Sequence, residues 1–153
     1  MFTLTRLFSA LLLGLFAYMI APQYELLHEP GTDLGRFEPW VGGVGVVIGW
    51  GFLGRQIGQR ALWFSAFVGA QAVALTGIVA AGLLAVREVF VLGYRMRYDN
   101  VTEAFTGYFD IVVNWLALTI QRDFLIMLGV GGLVLGAVLH LLYLAMERRR
   151  NDR

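Results

Sequence analysis

Ala61 to Val86 is a run of 26 residues in which Ser65, Gln71 and Thr76 are the only polar side chains. An apolar stretch of that length suits a helix crossing a hydrocarbon layer about 30 Å thick, which takes roughly 17–25 residues. In lipid every backbone N–H and C=O must be satisfied within the protein, and a helix does this inside one segment. Composition agrees with this solvent. The chain is 58% hydrophobic and 15% charged, against about 45–50% apolar and about 25% charged residues in a soluble domain. So few charges cannot cover a surface facing water.

Three further segments read as spans. Arg6 precedes the apolar run Leu7–Ala21. This resembles a signal peptide, but it ends Tyr18-Met19-Ile20-Ala21, without the small residue that cleavage needs. The reading is a retained helix over about 5–22, stopped by Pro22. Trp40–Gly54 has only 15 residues, so it borrows from Phe37–Pro39 and is expected over about 38–54. The third span, with its interfacial end, covers about 61–92. The fourth, about 124–146, contains His140 as its one ionisable group and stops at Glu147-Arg148-Arg149-Arg150. The expected fold is all-α: a single integral membrane domain over 1–153, with four transmembrane helices and one amphipathic outer-surface helix between the third and fourth.

Arginine placement predicts the sides. With the N-terminus in the cytoplasm, the inner face collects Arg6, Arg55, Arg60, Arg148, Arg149, Arg150 and Arg153 against Glu147 and Asp152. The outer face collects five arginines and nine acids. Both termini are then cytoplasmic. Val101–Gln121 is long and largely apolar, yet a crossing there would leave only Arg122 and Asp123 to turn the chain and would put the basic tail outside. Glu103, Gly107, Asp110, Asn114 and Gln121 share one stripe of a helix at these spacings, and Asn100 with Glu103 makes a helix start. The expectation over about 101–121 is therefore a helix at the outer surface, with Glu103, Asp110, Asn114 and Gln121 facing water or a partner.

Two readings fit the charged, aromatic strip that precedes it. Tyr94, Arg95, Arg97 and Tyr98 stand where the third span leaves the membrane, a depth that favours amphipathic rings and snorkelling arginines over lipid headgroups. The same arginine forks would also suit an oxyanion. Interfacial anchoring is the simpler account. Glycine spacing carries a second message: Gly45/Gly49, Gly54/Gly58 and Gly132/Gly136 are small-xxx-small pairs that let helix backbones approach closely. They imply a compact bundle or an oligomer, with the lipid bilayer, other membrane subunits or a second copy as partners.

Little else reads as chemistry. A net charge of +1 offers no field for nucleic acid. The absence of cysteine removes thiol redox chemistry and thiolate metal sites. His140 and His28 lie at opposite ends of their spans, so they do not form a bis-histidine haem site, and His140 alone reads as a hydrogen-bonded packing residue. No span has a charged residue near mid-bilayer, which argues against an ion-coupled exporter. The enzyme signatures HExxH, GxSxG, Walker loop and GxGxxG are missing. The sequence points to no catalytic residue, cofactor or metal.

In "EPGTDLGRF" (Glu29–Phe37), "GVVIGWGFLGRQIGQR" (Gly45–Arg60) and "RYDNVTEAFTGYFDIVVN" (Arg97–Asn114) the chain resembles the TrgA-type family of tellurite-resistance membrane proteins. The resemblance follows the order and hydropathy of most of the chain. It implies a small bacterial inner-membrane protein associated with tolerance of tellurium oxyanions, without assigned functional residues. Lacking thiols and buried charge, such a chain would act through partners. The other expectation is an accessory subunit of a larger respiratory or photosynthetic membrane complex.

Overall fold

The computed structural model describes residues 2–28, 36–58, 61–94 and 100–151. Every regular element among them is helical: α1 (Phe2–Glu25), α2 (Phe37–Ile48), a π-helical turn (Gly49–Leu53), α3 (Gly54–Gln56), α4 (Leu62–Tyr94), α5 (Val101–Thr119) and α6 (Arg122–Asn151). Leu4–Glu25, Leu62–Gly93 and Arg122–Arg148 are each long and apolar enough to cross a membrane. The remaining expected span is a chain of three short pieces, α2, the π turn and α3. Together they run without a break from Phe37 to Gln56, about 30 Å at 1.5 Å per residue.

Two antiparallel pairs make the core, and in both the glycines set the register. On α1 and α2, Gly42 lies on Tyr18, Gly45 on Leu13 and Ala17, Gly49 on the Ser9–Ala10 backbone, and Gly54 on Arg6. In α4 and α6, Gly69 lies against Gly132 and Gly136, Gly132 against Ala70, and Gly136 against the Ser65–Ala66 backbone. A side chain at Gly69 would come within 2.7 Å of Gly136 backbone atoms. With no hydrophobic force between helices in lipid, this close packing is what holds them together. The pairs meet where α2 lies on α4 and, more sparsely, where α1 lies on α6; there the Phe16 ring sits on Gly131.

The π turn explains the spacing on α2 and α3. Gly54 N–H bonds the Gly49 carbonyl five residues back, so one wide turn separates Gly49 from Gly54 and both face α1. A regular turn of 3.6 residues would have rotated Gly54 off that face. Gly58 is different: a side chain there would meet nothing within 4 Å, so of the pair Gly54/Gly58 only Gly54 lies on a packed face.

Two local expectations need correction. Pro22 does not stop α1, which continues to Glu25. Proline removes a donor and crowds the carbonyl four residues back, but the buried Tyr24 ring ties this last turn to its neighbours. The chain then leaves in tighter turns, Leu27 N–H to Tyr24 O and His28 N–H to Glu25 O. Asn100 does stand at the start of α5 in an extended conformation, but its side chain makes no capping bond; its carbonyl accepts from Glu103 and Ala104 N–H. Helix α4 has 33 residues, about 50 Å. That is close to the segment expected over 61–92, and it is longer than a hydrocarbon layer of about 30 Å.

The register shows where the excess lies. Gly132 opposite Ala70 and Gly136 opposite Ala66 place the start of α6 level with Ala80. Phe124 is accordingly buried with Ala80 and Leu84. Beyond Leu84, α4 projects past α6, and α5 folds back against it, with the Tyr108 hydroxyl 3.4 Å from where a Cβ on Gly82 would stand. The molecule thus has two unlike ends. At the terminal end, the starts of α1 and α4 and the last turns of α6 come together around Leu53, Ile57, Val68 and Leu139. At the hairpin end, α4 and α5 rise above a cluster of Tyr24, Phe37, Ala80 and Phe124.

Candidate functional site

The hairpin end gathers the features that packing alone does not explain. Helix α5 has three faces. Tyr108, Trp115 and Thr119 turn toward the bundle and are part-buried. A second face exposes Phe105, Phe109, Val113 and, just past the helix, Ile120, and the rings of Phe105 and Phe109 meet edge to face at 5.0 Å. The third face is polar: Glu103, Asp110 and Asn114 on α5 and Gln121 in the turn are all exposed. The expected stripe is therefore a real edge of the molecule, narrower than the apolar face beside it. Helix α4 also exposes apolar residues toward this end, Leu83, Val86 and Phe90, of which Phe90 is 65% exposed.

Beneath the hairpin an aromatic box joins four helices. Tyr24 stacks on Phe37 at 5.5 Å and lies 5.7 Å from Phe124. His28 meets Tyr24 edge-on at 4.9 Å and Trp115 at 90° and 5.7 Å. The Tyr24 hydroxyl donates to the Trp115 carbonyl at 2.8 Å, and the Thr119 hydroxyl donates to the same oxygen at 3.1 Å. Such arrangements combine ring quadrupole contacts with a satisfied polar tip. They fix the end of α1 to the last turns of α5. The signal was present in the sequence only as unconnected aromatic residues 91 positions apart.

A cavity of about 70 Å³ lies against this box, inside the bundle. Its walls come from α1, α2, α4, α5 and α6, and the polar side chains among them are the three hydroxyl residues Tyr24, Thr76 and Thr119 and the indole of Trp115. None of the three points a free group into the space: Thr76 donates to the Ala72 carbonyl at 2.8 Å, while Tyr24 and Thr119 share the Trp115 oxygen. A buried water needs 2–4 polar partners. The wall offers few such partners, and the space is far below the roughly 300–1,000 Å³ of a pocket for a drug-sized ligand.

Sequence reasoning kept Ser65 and His140 apart, and the α4/α6 register brings them together. Ser65 Oγ lies 3.0 Å from His140 Nδ1, with both residues buried. Each is one helical turn from the glycine contacts, Ser65 below Gly69 and His140 below Gly136. A Ser–His contact invites comparison with a nucleophile and its base, which also needs a third group to orient the imidazole. Among the described residues, Ser65 is the only hydrogen-bond partner of His140, and neither residue lines the cavity. The pair is a polar clasp between packed helices, the kind of interhelical bond worth on the order of 1 kcal/mol in a membrane.

The other sequence candidates divide as follows. Arg95, Arg97 and Tyr98, and the side chain of Tyr94, lie outside the described residues. Gly45, Gly49, Gly54, Gly132 and Gly136 sit at helix–helix contacts, whereas Gly58 faces open space. No group of three or more metal-ligating side chains occurs among the described residues. Compared with family models, curated proteins and solved structures, the chain has no match.

Proposed function

We propose that this chain is a non-catalytic inner-membrane protein of four spans that works through a partner docked at the hairpin end. The supporting observation is the α4/α5 hairpin, which rises past the core with Phe90, Phe105, Phe109 and Val113 exposed beside the polar edge of Glu103, Asp110 and Asn114. An apolar face bordered by polar residues, at a level where the rest of the bundle has ended, suits a second membrane subunit. In this reading α2, the π turn and α3 form the second of the four spans, and α5 lies at the outer surface. The resemblance to TrgA-type proteins makes tolerance of tellurium oxyanions the phenotype to examine, with the accessory-subunit reading as its alternative. By the sequence reading, Arg95 and Arg97 would serve as headgroup anchors or oxyanion contacts.

The partner reading is tested by purifying a tagged copy from native membranes in mild detergent. A stoichiometric partner is expected, with recovery lowered at least tenfold by the double substitution Asp110→Arg and Asn114→Arg. Recovery of a lone monomer at every protein concentration would remove the proposal. Deletion of the gene separates its two forms: a strain as tolerant of tellurite as its parent leaves only the accessory subunit.

The sides of the membrane are tested independently. The chain has no cysteine, so single reporters are unambiguous. In intact cells an impermeant maleimide should label Asn114→Cys, and should reach Arg153→Cys only after permeabilisation. The reverse pattern would turn the molecule over, against the arginine distribution.

A further inference from the structure

We propose that the cavity beneath the aromatic box is a binding site for one hydrocarbon chain, entering from the surrounding bilayer. Three observations carry this, and none depends on the docking of a partner.

The first is Gly77. It lines the cavity, and a Cβ built on it would meet nothing within 4 Å. Glycine inside a helix weakens that helix relative to alanine. Elsewhere in the core, glycine permits close backbone contact, as Gly69 does against Gly132 and Gly136. Gly77 permits no such contact. What its missing side chain provides is space, in the middle of a helix whose neighbouring wall residues Ala80 and Ala81 are also small.

The second observation is the chemistry of the wall. With the hydroxyl protons of Thr76, Tyr24 and Thr119 committed to backbone carbonyls, the wall is mostly apolar and offers few partners to water or a polar molecule. Only an apolar occupant recovers the contacts the space forgoes. A volume of about 70 Å³ matches the end of a chain rather than a ring system or a whole lipid.

The third is access. Phe16 and Ile20 of α1 and Leu128 of α6 are wall residues that are only part-buried, and they stand where α1 meets α6, a sparser seam than either helix pair of the core. On either side of it Leu15, Met19, Leu125 and Ile126 are exposed. Cavity and lipid-facing surface are therefore continuous in chemistry across that seam. An acyl chain lying along it can place its end inside without dragging a headgroup into the bundle.

Two sources supply a hydrocarbon chain: a phospholipid, or a free amphiphile. The experiment reconstitutes the full chain in vesicles of phosphatidylethanolamine and phosphatidylglycerol. One arm carries a phospholipid with a diazirine at the end of its acyl chain, the other a free fatty acid with the same group. After irradiation, adducts are mapped by mass spectrometry. Adducts on Thr76, Ala80 or Trp115 well above background are expected, from whichever source fills the site. In Gly77→Leu, whose side chain occupies the space, those adducts should fall at least tenfold while adducts on the lipid-facing Ile126 and Val130 stay constant. Wall adducts at background in the native chain overturn the proposal without reference to any variant. Wall adducts equal in the native chain and a folded Gly77→Leu overturn it as well. If Gly77→Leu does not fold, Gly77→Ala is the second variant, for which a partial fall is expected and no fall is contrary.

Discussion

Gly136→Leu should cost about 3 kcal/mol or more and disrupt the α4/α6 pair. Overpacking a filled interior typically costs about 1–3 kcal/mol when side chains can shift. At Gly136 the obstacle is backbone: a Cβ would stand 2.9 Å from Ala66 Cα and from the Ser65 carbonyl carbon. Neither atom can move without moving α4. The displacement would also part Ser65 from His140, one turn away, and leave two buried polar groups without each other. Gly129→Leu is the matched control on the same helix, since a side chain there meets nothing within 4 Å, and its effect should stay within about 0.5 kcal/mol. Thermal unfolding in detergent, read by the loss of the monodisperse peak, compares the two. Equal midpoints would mean that α4 and α6 do not approach as closely as described.

The second large effect is expected at Tyr24. Truncation to alanine removes a buried ring that touches Phe37, Phe124 and His28 and strips the Trp115 carbonyl of one of its two side-chain donors. Large aromatic truncations in cores cost about 3–5 kcal/mol. Tyr24→Phe keeps the ring and loses only the hydroxyl, for which about 1 kcal/mol is expected. The difference between the two isolates ring packing from the hydrogen bond. Because the box is what fastens α5 to α1, Tyr24→Ala should also open α5 to protease in folded protein, whereas Gly129→Leu should not. Were α5 equally protected in Tyr24→Ala and the native chain, the hairpin would be held by α4 alone, and the polar edge of Glu103, Asp110 and Asn114 would lose its fixed relation to the core.

Helical class and the three long apolar helices were legible in the sequence. Each of those properties is local: a bilayer makes every segment satisfy its own backbone, so a window of about twenty residues decides it. Charge placement is local too, which is why Arg6, Arg55 and the basic tail could be assigned to one face before any packing was known. The small-residue pairs were visible as patterns, but their use was not. Gly54 and Gly58 look alike in sequence, yet a five-residue turn puts Gly54 on α1 and leaves Gly58 facing open space. Gly69 and Gly77 are equally bare, and one closes a contact while the other opens a cavity.

Tertiary structure alone decided these matters, because they depend on the register between segments far apart in the chain. Register placed Ser65 beside His140, joined Tyr24 to Trp115, and revealed that α4 outruns α6 by more than three turns. A hydropathy profile sums contributions along one chain and carries no information about which residue of one helix lies opposite which residue of another. Where two backbones must fit within a few ångströms, that pairing is set by the shape of both surfaces at once.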